Sequence, residues 1–201
     1  MSDGERDPNE QPAERPAAPA PLALVQDFVN TLDVEAGTDV FAEPTVMGRW
    51  LRRRGLLEPG ERITADADLA YGLRVRAALR SLLFANHDDE EPPSEALVVL
   101  EDAALRAALT IRFWPGGASQ LEAAANGVEG AVGRLLGIAH AAMAEGTWSR
   151  LKICRADTCA WAFYDTSRNR SGKWCSMAVC GNRAKARSYR RRRRTEEPND
   201  G

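Results

Sequence analysis

Four cysteines form two closely spaced pairs near the C-terminal end of this 201-residue chain. Four residues separate Cys154 from Cys159 and Cys175 from Cys180, and fifteen residues lie between the two pairs. Each short spacing brings two sulfurs within reach of one ion, and the intervening loop brings the pairs together. The pattern predicts a closed tetrahedral site for one structural Zn²⁺ per chain. Such a site has no open position for water, which argues against metal-assisted hydrolysis.

Other uses of four cysteines fit the sequence less well. Two disulfides would need an oxidising compartment, and the N-terminal segment lacks the basic and apolar parts of an export signal. Iron–sulfur ligation commonly uses tighter spacings. Four free buried thiols would not be expected to gather within 27 residues with none elsewhere. A redox switch that releases zinc stays open as an alternative, because nearby arginines favour reactive thiolates.

Positive charge is concentrated around the cysteines. Residues 148–195 carry a net charge of +12 and residues 1–147 carry −11, whereas the whole chain carries only −2. Such asymmetry indicates a basic module that meets a polyanion and an acidic module with another task. The candidate nucleic-acid contacts are Arg168, Arg170, Lys173, Asn182, Arg183, Lys185, Arg187, Arg190, Arg191 and Arg194.

A basic helix is predicted to begin at the second cysteine pair. Ser176 can cap its first turn, and residues 183, 187, 190 and 194 would place arginines on one face. So small a segment has too little apolar surface to fold alone, so metal binding would supply its order. Zinc would then hold the start of a positively charged helix on a fixed frame.

The cations of this helix are expected to differ in their roles. Arg183 and Arg187 lie close to the metal, and arginines held in a major groove suit both phosphate and guanine edges. The run Arg190–Arg194 should act mainly through its charge, and it could also be a flexible tail that binds any polyanion. Tyr189 could stack on a base or pack against the protein.

The elements that must position this site are mainly helical. Apolar spacing predicts helices over residues 22–32, 45–54, 64–86, 94–108 and 127–145. Gly55 and Gly146 are the expected ends of the second and fifth of these helices. Short segments at 110–114 and 118–123, joined by a Pro-Gly-Gly turn, predict a β-hairpin. The predicted fold class is therefore mainly α with a small β-hairpin, an α+β N-terminal domain, followed by a small treble-clef-like four-cysteine zinc finger with a basic C-terminal helix.

Composition divides the chain into four segments. Residues 1–21 and 195–201 are poor in apolar residues and are predicted to be disordered tails. Residues 22–146 should form a helical domain and residues 148–194 the finger with its basic helix. The break in composition near Gly146 predicts two separately cored units.

Sequence motifs for catalysis and for membrane insertion are not found. His87 lies in an acidic segment and His140 in an alanine-rich helix, so both are expected to be surface or half-buried residues rather than ligands. The apolar run 22–29 is too short to span a membrane. We therefore expect a cytoplasmic protein that is not an enzyme.

Several motifs in the C-terminal part resemble the CGNR zinc finger. The name comes from the tetrapeptide that stands here at residues 180–183, and the stretches FYDTSRN (163–169) and WCSM (174–177) fit the same pattern. The preceding part begins LALVQDFVNTLD and includes WLRRRGLL. It is similar to the ABATE domain, which usually precedes this finger in bacterial transcription regulators. The resemblance implies zinc binding by the four cysteines and a DNA-binding, regulatory role.

Together these features favour a zinc-dependent regulator that binds double-stranded DNA in the bacterial nucleoid. The N-terminal domain would be a sensor or assembly module that meets an effector or a second copy of the chain. One alternative is an RNA-binding protein, since the same charge would serve RNA. Another is a small-molecule-binding or enzymatic N-terminal domain for which the finger is only an anchor.

Overall fold

The computed structural model describes residues 15–88 and 90–196. The described residues form six α-helices: α1 (Ala23–Val29), α2 (Pro44–Arg53), α3 (Asp66–Asp88), α4 (Ser94–Arg106), α5 (Gly127–Ala144) and α6 (Asn182–Glu196). They also form three antiparallel strand pairs: β1 (Leu32–Asp33) with β2 (Thr38–Asp39), β3 (Leu109–Phe113) with β4 (Ser119–Ala123), and β5 (Leu151–Ile153) with β6 (Ala162–Tyr164). This architecture confirms the predicted class, mainly α with a small hairpin.

The glycines that should end helices α2 and α5 do so. Gly55 has φ +69° and Gly146 has φ +71°, both in the left-handed region that glycine adopts without strain. Helix α1, in contrast, stops at Val29 and not at residue 32, because Leu32 enters the short pair β1–β2. Strands of two residues carry too little periodicity to be predicted.

One large apolar core holds the N-terminal region (residues 15–146) together. Phe28, Phe41 and Trp50 pack with ring centroids 5.5–5.9 Å apart. Leu79 of the long helix α3 and Leu135 of α5 are buried in the same core. Such packing of amphipathic helices supplies most of the stability of a domain of this size.

The same core extends into the C-terminal region (residues 148–196). Leu151 and Ile153 of β5 and Ala162 of β6 belong to it, whereas the cysteines form a second, smaller cluster with Trp161. The prediction of two separately cored units is therefore wrong for the β5–β6 hairpin. The domain boundary near residue 147 stays a prediction.

A buried asparagine ties this hairpin to α1. The side-chain Oδ1 of Asn30 accepts a hydrogen bond from the Ala162 N–H at 2.8 Å, and its Nδ2 donates to the Ala162 carbonyl at 2.9 Å. The amide of Asn30 thus satisfies both backbone groups of Ala162 that face away from β5. Arg80 of α3 adds a bond from its guanidinium to the Ala160 carbonyl at 2.7 Å.

The segment before α1 is packed, in contrast to the predicted disordered tail over residues 1–21. The Pro16 carbonyl accepts a hydrogen bond from the Tyr164 N–H at 3.1 Å, so residues 15–21 run beside β6. Residues 1–14 lie outside the described residues.

The far end of the chain differs from its prediction in a similar way. Helix α6 continues to Glu196, so residues 195 and 196 are helical and do not belong to the predicted tail. Residues 197–201 lie outside the described residues. Within the described ranges, every helix is too short or too polar to cross a bilayer.

Candidate metal centre and basic helix

The four cysteine sulfurs converge on one point. All four residues are buried, and their Sγ atoms lie within 4.8 Å of one another. The Sγ of Cys175 lies 3.6 Å from that of Cys159 and 3.7 Å from that of Cys180. A tetrahedral zinc ion with Zn–S bonds of about 2.3 Å places its sulfurs about 3.8 Å apart. Cys154, Cys159, Cys175 and Cys180 therefore fit one Zn²⁺, as the spacing predicted.

The first pair is held in the turn that joins β5 to β6. The Cys154 N–H donates to the Trp161 carbonyl at 2.9 Å, and the Cys159 N–H donates to the Ala156 carbonyl at 2.9 Å. Ala160 turns the chain back into β6 with φ +47°. The two sulfurs of this pair are thus presented from a tight knuckle whose strands belong to the large core.

The second pair is held in a π-helical turn, Met177–Gly181, that runs into α6. Ser176 caps it as predicted, since its Oγ accepts a hydrogen bond from the Val179 N–H at 3.3 Å. The predicted α-helical first turn is instead π-helical, with a bond from the Gly181 N–H to the Ser176 carbonyl. Cys175 precedes this turn and Cys180 lies within it, and their sulfurs are 3.7 Å apart.

Gly181 lies in close packing at this turn. A Cβ there would lie 2.8 Å from the Sδ of Met177 and 3.3 Å from Cδ1 of Trp174. A larger residue would therefore displace the Met177 side chain and crowd Trp174 beside the metal loop. Zinc and this packing together set the direction in which α6 leaves the cluster.

The thiols also govern one another's ionisation. Hydrogen bonds from Cys159 and Cys175 lower the pKa of Cys154 to about 2. The hydrogen bond to Cys154 raises the pKa of Cys175, and burial raises that of Cys180 to about 12. Negative charge on one sulfur thus opposes charge on its neighbours. A dication removes this repulsion, which makes such a donor set suited to a metal.

A buried ion pair fixes the basic loop between the two cysteine pairs. The carboxylate of Asp165 accepts hydrogen bonds from Lys152 Nζ at 2.9 Å, the Ser167 N–H at 3.0 Å and the Gly172 N–H at 2.8 Å. Burial raises the pKa of Asp165, but hydrogen bonds from Ser167 and Lys152 outweigh this and bring it to about 2. A Cβ at Gly172 would lie 2.7 Å from this carboxylate, so the loop needs glycine there.

The cations of this loop face solvent. Arg168, Arg170 and Lys173 are all exposed. Arg170 has φ +52° and its guanidinium donates to the Ser149 Oγ at 3.0 Å, so it turns toward the start of the C-terminal region. The loop thus presents positive charge on a backbone clamped by Asp165.

The candidate contacts on α6 are also exposed, and two of them form ion pairs. The exposed side chains are Asn182, Arg183, Lys185, Arg187, Arg190 and Arg191. Arg183 pairs with Glu35 in the β1–β2 turn, and Arg187 lies 3.4 Å from Asp157 in the first cysteine turn. These arginines remain 50% and 42% exposed, respectively. The side chain of Arg194 lies outside the described residues.

A cleft of about 360 Å³ lies between α6 and the first cysteine turn. Arg155, Trp174, Arg187 and Arg191 line it. Sequence reasoning did not name Arg155 or Trp174 as functional residues. A cation inside the first C-x4-C spacing and an aromatic residue directly before Cys175 were the signals that could have found them.

The two histidines do not join the sulfurs. The cluster of potential metal ligands found among the described residues contains cysteines alone. Burial lowers the pKa of His87 to about 4 with help from nearby cations such as Arg155, so its imidazole is neutral near pH 7. His140 is exposed on α5.

Two protein-family models match the chain in the order that the motifs indicated. The CGNR zinc finger matches residues 150–193. The ABATE model, described as "Putative stress-induced transcription regulator", matches residues 22–146. A search of curated proteins found no match. Because the second of these models spans more than half of the 201 residues, the chain belongs to the ABATE family and carries a CGNR zinc finger after the ABATE domain.

Proposed function

We propose that this protein is a zinc-dependent DNA-binding regulator of transcription in a bacterial cytoplasm, associated with the nucleoid. The finger would bind double-stranded DNA, and the ABATE domain would act as a sensor or assembly module. The protein would act by binding and not as an enzyme. The family description and the fit of the sulfurs to zinc support the regulatory and metal-binding parts of this proposal.

The observation that carries the DNA-binding part is the direct continuity between the metal site and α6. Cys180 lies in the π-helical turn that continues into Asn182. The helix then carries eight Lys or Arg residues and one acidic residue, Glu196. An α-helix fits the major groove of B-DNA, and arginine suits both phosphates and guanine edges. A metal-anchored helix of this charge would therefore approach the groove in a defined direction.

The ion pairs of α6 support a division of roles among its arginines. Arg183 and Arg187 contact the body of the protein, through Glu35 and Asp157. Phosphate or guanine would replace these carboxylates on DNA, since both arginines are about half exposed. Their positions relative to the metal make them suited to selective contacts. The run after Tyr189 lies farther from the anchor and would bind any duplex through charge.

DNA binding by the full zinc-loaded chain, measured by fluorescence anisotropy, tests this division. Two duplexes are compared over a series of salt concentrations. One has a preferred sequence selected from a random library, and the other has a random sequence. Arg187→Ala should cost about 1–3 kcal/mol and relax preference at a base pair. A chain that ends at Tyr189 should lose affinity for all duplexes alike and show a lower salt slope. Arg49→Ala, at an exposed cation of α2, is the matched control and should change neither quantity.

The opposite pattern would show that the roles are reversed: truncation abolishes preference and Arg187→Ala lowers only the overall affinity. Competition between duplex DNA and structured RNA at matched salt distinguishes the two nucleic acids, and stronger binding of RNA would overturn the proposal. A thermal-shift screen of the full chain against small molecules tests the sensor role. Turnover of any of those molecules would instead favour an enzymatic N-terminal domain.

A further inference from the structure

Strand β3 presents an apolar edge that the rest of the described chain leaves uncovered. It pairs with β4 on one side, and no other strand of residues 15–88 and 90–196 pairs with its second side. Ile111 is 60% exposed and Phe113 is 74% exposed. Exposed apolar edge strands promote association with other chains, and proteins usually protect them with charges, proline or a cover. The one charged residue of β3 is Arg112, whose side chain lies 3.7 Å from Glu122 of β4.

The apolar side chains of β3 all lie on one face of the hairpin. Because side chains alternate along a strand, Leu109, Ile111 and Phe113 share the face that carries Leu121 and Ala123 of β4. That face is directed at α5, since a Cβ at Gly133 would lie 2.7 Å from the Cβ of Ala123 and 3.4 Å from Cδ2 of Leu109. The apolar face thus begins under α5 and continues outward to the free edge.

The sequence of β3 is self-complementary in one antiparallel register. With Ile111 opposite the Ile111 of a second copy, each Leu109 lies opposite a Phe113, so every facing pair on this side is apolar. On the other face each Thr110 lies opposite an Arg112. Centring the pair one residue later would place Arg112 opposite its own copy, and like charges directly opposite are destabilising.

Charge also matches across the resulting four strands. Within the hairpin Thr110 lies opposite Glu122, and Arg112 lies opposite Gln120. A row across the sheet would therefore run from Glu122 through Thr110 to the Arg112 and Gln120 of the second copy. Arg112, which already lies 3.7 Å from Glu122 of its own hairpin, would therefore meet no like charge in this row.

We propose that β3 pairs with the β3 of a second copy of this chain, antiparallel about a two-fold axis at Ile111, to form a four-stranded sheet. A second copy of the chain fits this edge because the antiparallel register places apolar residues opposite apolar residues. The same register places no like charges opposite each other. The interface is small, so the dimer should dissociate on dilution. This inference rests on the N-terminal region and stands whether or not the finger binds DNA.

Sedimentation equilibrium of the full zinc-loaded chain over a concentration series tests the proposal. The native chain should pass from monomer to dimer as concentration rises. Ile111→Lys should raise the dimer dissociation constant by roughly tenfold or more, because two lysines would face each other in place of an apolar pair. Val98→Lys, at an exposed apolar residue of α4, is the matched control and should leave the constant within about twofold. Thermal melting checks that both variants remain folded.

Two further variants test the register itself. Thr110→Lys should weaken the dimer, because it places an ammonium group opposite Arg112 of the second copy, and Thr110→Gln should leave it nearly unchanged. Hydrogen exchange should show protection of residues 109–113 that increases with concentration. A monomer at every concentration would overturn the proposal. So would a dimer that is insensitive to Ile111→Lys, or one in which both Thr110 variants act alike.

Discussion

The N-terminal and C-terminal regions of this molecule are held together by different means. The N-terminal region has a large continuous apolar core, whereas the cysteines of the C-terminal region sit in a small cluster with Trp161 and Phe163. Strands β5 and β6 belong to the large core even though they carry the knuckle of the finger. The comparison shows that only part of the finger should depend on metal: the cysteine turns, the basic loop and α6.

The two regions also differ in what they do with arginine. Arg76 of α3 is buried and makes a bidentate ion pair with Asp39, with N–O distances of 2.7 and 2.5 Å. Arg80 is buried as well and bonds to main-chain carbonyls. On α6, by contrast, Arg187 and Arg190 are exposed. Arginine serves the architecture where it is desolvated and paired, and it is available for a polyanion where it stays exposed to solvent.

Zinc removal should have the largest effect, and it should act only on the metal-dependent part of the C-terminal region. The zinc-binding free energy of small fingers is on the order of 10 kcal/mol, so a chelator or Cys175→Ser should unfold α6 and the second cysteine turn. Limited proteolysis with mass spectrometry should then leave a core that extends to about Tyr164, because the β5–β6 hairpin belongs to the large core. Elemental analysis of untreated protein should find about one zinc per chain.

Re-addition of Zn²⁺ to the chelated protein, which should restore its helical circular dichroism, is the control for this experiment. A protected fragment that ends near residue 147 would show that the finger folds as a separate unit. Iron in place of zinc, or no metal, would contradict the metal assignment.

Loss of the asparagine bridge should have the next largest effect. Asn30→Ala leaves the Ala162 N–H buried without its acceptor, at a cost of about 1–3 kcal/mol. The Ala162 carbonyl keeps a second donor, Nε2 of Gln26 at 3.1 Å, so the loss should stay within that range. Urea unfolding with excess zinc measures the free energy of unfolding. Asn169→Ala, at an exposed asparagine of the basic loop, is the control and should have little effect.

The number of unfolding transitions shows whether the two regions unfold together. If they share a core, Asn30→Ala should move one cooperative transition for the whole chain to lower urea. Two separate transitions, of which one alone shifts, would mean that the regions unfold independently.

Acid should weaken the contact between α3 and the finger through His87, by a smaller amount. The pKa of His87 is lowered to about 4 by burial, so the unfolded chain takes up a proton below about pH 6.5 while the folded chain does not. Its Nδ1 is buried without a partner among the described residues. Stability should therefore fall as the pH drops from 6.5 toward 4.

Urea unfolding at pH 7.0 and 5.5 with excess zinc checks this prediction. His87→Gln should show a smaller loss between these pH values than the native chain. His140→Gln, at the exposed histidine, should behave like the native chain, and an equal loss in all three proteins would assign the pH dependence to other groups.

The ion pair between Arg183 and Glu35 should contribute least. Both side chains are partly exposed, and exposed ion pairs contribute little to stability. Glu35→Gln should therefore lower the free energy of unfolding only slightly. It should also raise DNA affinity slightly, because it removes a competing carboxylate from α6. Urea unfolding and fluorescence anisotropy measure the two effects, and Glu145→Gln controls for the change in net charge. A large loss of stability would mean that the pair is a main connection between the regions.

Local patterns were enough to predict much of this molecule. The two C-x4-C spacings predicted the metal cluster, because two close pairs of thiolates have few other uses in one chain. Apolar periodicity predicted five of the six helices to within a few residues, and the charge of α6 predicted its exposure. Gly55 and Gly146 were identified as helix ends because their local backbone geometry does not depend on distant residues.

The tertiary structure determined which residues are neighbours in space. It placed β5 and β6 in the core of the N-terminal region and the carbonyl and N–H of Ala162 against Asn30. It also paired Arg183 with Glu35, 148 residues away in sequence. Such contacts depend on how helices pack in three dimensions, and spacing along the chain carries no record of that packing. The sequence by itself therefore determined which residues could bind zinc and carry charge. Only the fold determined which of those charges are paired and that the finger and the ABATE domain share a core.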